Sequence, residues 1–260
     1  MTTNMNPYRI AGLVLAATLF AACEKNTVQE LPLGPVLSSR IRFFNMGLAA
    51  PSVNFYADND KMTAVQSGTG SESTSGVSYG GVGNGGYYAQ LAAGTYSLTG
   101  RIAATTDKDV AIDTVHATIA DGKRYSFYLS GPYSSGTKNV DGFIIEDPLP
   151  TPDFSTAYVR LVHTIYNANP LTLYTRPAGD TTAAWTAVGS AVAYKNAGAF
   201  VIIAPGVYDL GARFTDSTTN RMTFAGVSLL AGQIYTINAR GNNTATTGAT
   251  RDSLSTTAHF

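Results

Sequence analysis

Asp121-Gly122-Lys123-Arg124-Tyr125-Ser126-Phe127-Tyr128-Leu129 opens on a glycine turn and alternates in character up to Gly131. A period of two between turn residues predicts a β-strand. The stretch then returns. Leu230-Ala231-Gly232, followed by Tyr235 and Gly241, keeps the same spacings, three residues from Gly to Tyr and nine from Gly to Gly. Tyr125 and Tyr235 sit just inside a strand that follows a turn. That is where a tyrosine corner stands, with its hydroxyl bonded back to the backbone.

Working outward, the repetition covers most of the chain. Arg42-Phe43-Phe44-Asn45 returns as Arg160-Leu161-Val162-His163, and Val53-Asn54-Phe55-Tyr56 as Leu171-Thr172-Leu173-Tyr174. Tyr88, six before Gly94, matches Phe200, six before Gly206. Ala93-Gly94-Thr95-Tyr96 returns as Pro205-Gly206-Val207-Tyr208, and Tyr96 and Tyr208 are read as structural. The offset between copies falls from 118 residues (Arg42 to Arg160) to 110 (Tyr125 to Tyr235). The extra length lies mostly at a Gly/Ser-rich low-complexity stretch, 67–86, which reads as a flexible surface loop where an insertion costs little.

A repeat of this length is too long for a solenoid. With turn signals every 8–12 residues it predicts an all-β chain of two tandem sandwiches of immunoglobulin or transthyretin type, each with about seven short strands. Pro148, Pro150 and Pro152 cannot donate to a sheet ladder, so they mark the boundary. The expected domains are 38–147 and 156–260, with a Pro-rich linker at 148–155. The motifs together resemble the bacterial domain-of-unknown-function 4397 family, over roughly 38–147 and 156–258. That resemblance implies tandem domains in exported proteins and lipoproteins, and it brings no catalytic residues with it. Arg251-Asp252-Ser253-Leu254-Ser255 matches the family less well than Phe143-Ile144-Ile145-Glu146-Asp147, which leaves the second copy's last strand open.

Ahead of the first copy, Ile10 to Ala22 is an apolar run of 13 residues behind Arg9. A membrane-spanning helix needs about 20. Small residues close the run, as in a secretory signal. Ala21-Ala22-Cys23 resembles the lipobox of bacterial lipoproteins, although Phe20 stands where that family prefers Leu. The resemblance implies a signal peptide at 1–22 and lipidation of Cys23, the sole cysteine. The expected membrane partner is then reached through acyl chains, several of which hold a protein stably. Residues 23–37 read as a flexible tether with Pro32 and Pro35. Glu24 follows the cysteine in place of the Asp that signals inner-membrane retention, so the resemblance points to the outer membrane.

Composition limits the chemistry. The chain has 17 basic and 17 acidic residues; loss of Arg9 with residues 1–22 leaves 16 − 17 = −1. That is no footprint for nucleic acid. With Cys23 lipidated, no disulfide can form, and the domains rely on apolar burial. His116, His163 and His259 lack metal-ligand spacing. His163 takes the place of Asn45 in the repeat, which predicts a hydrogen-bonding role at a strand end, and His116 is expected to face solvent. Asp58-Asn59-Asp60 fails as a calcium loop because positions 63 and 69 are Thr. Gly83 and Gly85 begin a Gly-x-Gly, but Tyr88 replaces the third glycine and no Lys-Ser/Thr follows. No Gly-x-Ser-x-Gly elbow is present.

No cofactor or metal is expected, and no enzymatic activity. The expected function is a binding or interaction module of the cell envelope, recognising a glycan or an envelope protein. An envelope polysaccharide hydrolase or lyase using strand-end carboxylates (Asp58, Asp60, Asp107, Asp109 or Asp113) is the alternative, and a structural spacer a third. For a ligand site, the candidates are Tyr79, Tyr87 and Tyr88 beside the Gly-rich loop, and Trp185 and Tyr194 in the second copy.

Overall fold

The computed structural model describes residues 39–63 and 75–259. The expected signal peptide, Cys23, the expected tether and residues 64–74 lie outside the described residues. Those described belong to one compact all-β unit.

The first copy contains β1 (Arg40–Asn45), β2 (Val53–Ala57), β3 (Asp60–Lys61), β4 (Gly81–Val82), β5 (Ala89–Gln90), β6 (Gly94–Ile102), β7 (Ala111–Ile119), β8 (Arg124–Ser134) and β9 (Asn139–Glu146). The second contains β10 (Ala157–His163), β11 (Leu171–Pro177), β12 (Thr186–Val192), β13 (Val201–Ile203), β14 (Gly206–Phe214), β15 (Met222–Leu229), β16 (Ile234–Arg240) and β17 (Ser253–His259). Each copy makes two sheets. In the first they run β4-β1-β8-β9, with β5 also on β1, and β3-β2-β6-β7. In the second they run β13-β10-β16-β17 and β12-β11-β14-β15. The opening strand of each copy lies parallel to a late one, β1 to β8 and β10 to β16, while all other strand pairs are antiparallel. β17 pairs with β16 from Ile234↔His259 to Arg240↔Ser253, so the second copy's last strand is complete despite its poorer sequence match.

Each copy has its own apolar core. Ile41, Phe43, Phe55, Leu98, Ile112 and Phe127 fill the first. Val159, Leu161, Leu173, Leu210 and Ile237 fill the second. The turn chemistry holds as the sequence suggested. The Tyr125 hydroxyl accepts from Ala120 N–H at 3.2 Å, and Tyr235 from Leu230 N–H at 3.0 Å. Tyr96 and Tyr208 donate back to the carbonyls of Ala92 and Ala204. His116 is exposed, and His163 is fully buried. Asn45 accepts from Gly47 N–H and donates to the carbonyls of Pro51 and Val77. His163 accepts from Ile165 N–H on Nδ1 and reaches Asn169 O from Nε2 at 3.2 Å. The ring therefore replaces the amide two residues and six residues downstream alike, as the Nε2–H tautomer.

β1 and β10 are buried on both faces, which explains why their sequences alternate so imperfectly. Ile41 and Phe43 face their own core, while Arg42 and Phe44 point at the other copy. Phe44, Met46, Tyr128, Phe143 and Val162 form a third cluster shared between copies. Phe44 stacks on Tyr128 at 4.4 Å and Tyr128 on Phe143 at 5.1 Å. The Tyr128 hydroxyl donates to Asn238 Oδ1 at 3.1 Å.

The polar part of this junction is a closed network. Arg160, 2% exposed, pairs with Asp147, and its Nε donates to Thr236 at 2.9 Å. Asp147 Oδ2 also accepts from Ser126 and from Tyr88, each at 2.7 Å. Tyr88 lies 2.8 Å from His259 Nδ1, and Thr236 lies 2.7 Å from His259 Nε2. One set of protons satisfies the ring: Arg160 to Thr236, Thr236 to His259, His259 to Tyr88, Tyr88 to Asp147. Burial holds Tyr88 well above the usual phenol range, with the Asp147 charge adding to it. Burial, then the charges of Arg42, Arg160 and Arg124, press His259 down to about 2.

Two outcomes are expected. Asp147→Ala strands the Arg160 guanidinium in the interior, at a cost of about 3–5 kcal/mol, measurable as a lowered urea midpoint. The second concerns pH. Burial lowers His163 to about 4, below its unfolded value near 6.5. The unfolded chain then binds more protons, so this stability is full above about pH 6.5 and is lost as pH falls toward 4. His163→Asn, which copies Asn45, should keep the fold at pH 7.5. Compared with the parent, its unfolding free energy should fall by about 2 kcal/mol less between pH 7 and pH 5. Taking the difference between the two proteins cancels the contributions of other titrating groups.

Candidate binding face

The aromatic residues singled out in the sequence do not converge. Tyr79 lies against the Arg240 guanidinium at 5.2 Å, and its hydroxyl is buried. Tyr87 is 61% exposed. Tyr88 belongs to the junction network, with Arg42 stacked 4.0 Å over its ring. The described part of the Gly-rich stretch is ordered structure and not a free surface loop. β4 pairs with β1, a short 3₁₀ turn follows at Gly83–Gly86, and a side chain at Gly80 would strike Arg240 of the second copy.

Tyr194 stands at another part of the junction. Its hydroxyl is 3.2 Å from Ser130 Oγ and 3.5 Å from Asp141 Oδ2. Lys195 pairs with Asp141 at 2.5 Å. Nearby, burial and then the charge of Asp141 raise Asp113 to about 6, against the pull of a backbone hydrogen bond at Thr114 and of Lys195. Asp113 Oδ2 is enclosed and unpartnered. Of the other carboxylates, Asp58 accepts from Ser97 N–H, and Asp107 pairs with Lys138. Among the described residues, no group of three or more His, Cys, Asp or Glu is placed to hold a metal ion.

Trp185 marks a different surface, the outer face of β12-β11-β14-β15. β11 alternates: Leu171, Leu173 and Thr175 are buried, while Thr172, Tyr174 and Arg176 turn outward. In register on β14, Arg176 meets Asp209, Tyr174 meets Gly211, and Thr172 meets Arg213. Arg176 lies 4.7 Å over the Trp185 ring and reaches Asp209 Oδ2 from Nε at 3.3 Å and Nη2 at 3.2 Å. The β15 bulge supplies Gly226 N–H to Asp209 Oδ1 at 3.1 Å. Arg213 lies 4.1 Å over Tyr174, and its Nε donates to Asn220 at 2.7 Å. Gly211 makes room for this, because a Cβ there would lie 2.5 Å from the Asn220 amide.

The result is a row of half-buried aromatic rings, each covered by a guanidinium that is itself held by a side-chain acceptor. Cation–π contacts fix the arginines in plane and leave N–H groups free at their edges. A surface of this kind offers donors, one carboxylate and ring edges on a rigid sheet, which suits polyhydroxylated or acidic ligands. The first copy carries only part of it. Arg101 lies 4.2 Å over Tyr56, but Asp58 and Ser97 stand where the second copy has Arg176 and Asp209. Of this row, the sequence reading singled out Trp185 alone. Period-two alternation along β11 is the signal that would have placed Tyr174 and Arg176 beside it.

The family model for a domain of unknown function, DUF4397, matches residues 39–174. No curated protein matches the chain. Among solved structures, a leucine-rich repeat protein from Bacteroides thetaiotaomicron is similar at 12% identity, over 78% of this chain and 25% of that one, with a TM-score of 0.20. The chain thus spans about a quarter of that protein's length. By the extent of the family match, the chain belongs to the DUF4397 family.

Proposed function

We propose that this DUF4397 member is a non-enzymatic binding module of the bacterial envelope, exported and held on the outer membrane by lipid on Cys23, with a glycan as its ligand. The observation that carries the reading is the Trp185–Arg176–Asp209 cluster continuing into Tyr174–Arg213 on one outer sheet face. Sugars present hydroxyls that both donate and accept, together with apolar C–H faces. Aromatic edges flanked by fixed guanidinium and carboxylate groups answer both. The anchor rests on Ala21-Ala22-Cys23 and on the absence of any other cysteine in the sequence.

The hydrolase alternative has one observation on its side, the proximity of Asp113 to Asp141. Two features weigh against it. The Asp113 Oδ2 atom is enclosed, and Asp141 is paired with Lys195.

Trp185 is the sole tryptophan, so intrinsic fluorescence reports this face directly. The test is titration of the full chain, in detergent, with soluble acidic and neutral polysaccharides. Saturable change in Trp185 emission is expected with at least one of them. Arg176→Ala or Tyr174→Ala should weaken it by about tenfold or more, the worth of one good polar or stacking contact. Emission that no polysaccharide moves would overturn the glycan reading in favour of a spacer.

A further inference from the structure

The opening strand of each copy starts at the same end of the molecule. Within each copy the parallel ladder sets the level, Arg40 opposite Arg124 and Tyr158 opposite Ile234. Across the junction the copies keep step. Arg42 donates to Ala258 O, which lies opposite Tyr235; Tyr128 donates to Asn238; Ser130 donates to Thr164 O. Ser39, the 120–123 turn, the 153–156 approach to β10, the 204–205 turn and the 230–233 turn therefore share one end.

On the second copy this end is bare and apolar. Phe154 is 85% exposed, Ile202 64%, Leu230 60% and Val207 50%. Among the described large apolar residues, only Tyr87 is elsewhere exposed to that degree. Phe154 lies over Gly232, where a Cβ would meet its ring at 2.8 Å. Ile202 stands on the edge strand β13 opposite Tyr158, and Val207 stands opposite Ser228 at the start of β14. Leu230 leads into the turn before β16. Across 148–159, 200–208 and 228–235 the sole charged residue is Asp153.

The first copy does not share this character. Gln90, Thr95 and Ala120 stand where the second copy has Ile202, Val207 and Leu230. Arg40, Lys123 and Arg124 stand where it has Tyr158, Gln233 and Ile234. The fold thus accepts polar residues at these positions. What meets the apolar ones follows from the route of the chain. Ser39 enters at this end, its carbonyl accepting from Leu91 N–H at 3.1 Å. Fifteen residues separate it from Cys23 (39 − 23 − 1), a reach of at most about 55 Å. Lipid on Cys23 holds this end within that distance of a bilayer, where a weak contact is favoured by its high effective concentration. A protein partner would call for a close-packed apolar core. Side chains that project singly from turns suit a fluid surface instead, entering the boundary between headgroups and acyl chains.

We propose that this end of the second copy rests in the membrane surface, with Phe154, Ile202, Val207 and Leu230 in the headgroup and acyl boundary. The proposal rests on the anchor reading above and goes beyond it by orienting the molecule. The strands stand up from the bilayer, and the outer sheet face that carries Trp185 is turned to the side, open to a polymer.

The test uses the full acylated chain reconstituted in phosphatidylcholine vesicles, with an environment-sensitive fluorophore on an introduced thiol. Acylated Cys23 takes up no label, so the parent stays dark. Leu230→Cys is compared with Thr218→Cys. Thr218 lies in the turn beyond the far end of nine-residue β14, roughly 30 Å away. On reconstitution the label at 230 should shift to the blue and lose about half its emission to a nitroxide carried on the lipid chains, while the label at 218 does neither. Adding Ile202→Gln and Val207→Thr, which copy the first copy, should return the label at 230 to its aqueous emission with the fold kept. No quenching at 230, or equal quenching at 218, would overturn the proposal while the dark parent leaves the anchor standing. A blue shift at 230 that lipid nitroxide does not quench and that grows with protein density would overturn it in favour of a second copy. Label taken up by the parent at Cys23 would sink the anchor reading and the proposal together, since nothing would then hold this end near a bilayer.

Discussion

The junction between the two copies depends on placing Arg42 and Arg160 where water cannot reach them. Both side chains are fully enclosed, and an arginine cannot shed its charge to ease the cost. Arg160 is matched on every side by Asp147, Thr236 and the carbonyl of Glu146. The strands that carry these groups must therefore stay in register across the junction as well as within their sheets. The Pro-rich stretch that follows Asp147 is consequently tied at its start to the second copy's buried arginine.

The junction has an approximate twofold logic that the internal repeat makes explicit. Arg42 stands opposite Ser126 and Arg160 opposite Thr236 in the parallel ladders. Arg42 Nη1 donates to Ala258 O as Arg160 Nη1 does to Glu146 O, and these acceptors lie opposite Tyr235 and Tyr125. The next residues are His259 and Asp147. The symmetry breaks there, since one copy offers a carboxylate and the other a neutral imidazole. Arg42 accordingly keeps Nε and Nη2 without partners, with Tyr88 stacked beneath it as partial compensation. Its pKa is lowered by burial, against the pull of Tyr88 and Asp147. The network gives the carboxylate to Arg160, fills its other oxygen with Ser126 and Tyr88, and links His259 into a chain of neutral donors.

What could be read from sequence follows from the range of the interactions. Tyr125, Tyr235, Tyr96 and Tyr208 bond to backbone four or five residues away, so glycine spacing alone located them. The exchange of Asn45 for His163 was legible for the same reason. The double burial of β1 was not, because Arg42 within an apolar run looks like an exposed position until a second sheet is known to cover it. The Gly-rich stretch misled in the same way. Low complexity suggested a free loop, whereas Gly80 is approached by the other copy's Arg240 and Gly86 holds a φ of 90°, a backbone that favours glycine. Aromatic content could not sort Tyr88, inside the junction, from Trp185, on the outer face. That distinction rests on which neighbours each ring meets across the sheets.

The two copies also supply a comparison within one chain. Where they agree, as in the paired tyrosine corners and the Arg–ring stacks at Tyr88 and Phe200, the shared feature serves the fold. Where they diverge on the outside, the shared fold does not dictate the residues. Asp58 and Ser97 form a local turn contact in the first copy. At the same register the second copy has Arg176 and Asp209, bonded to each other, stacked on the only tryptophan, and supported from behind by a β-bulge. A sheet whose sister stands without this cluster does not need it for stability. Its half-buried ion pair contributes little to folding once desolvation is counted. That surplus of fixed polar groups over what the fold requires is the ground on which the proposed binding face rests.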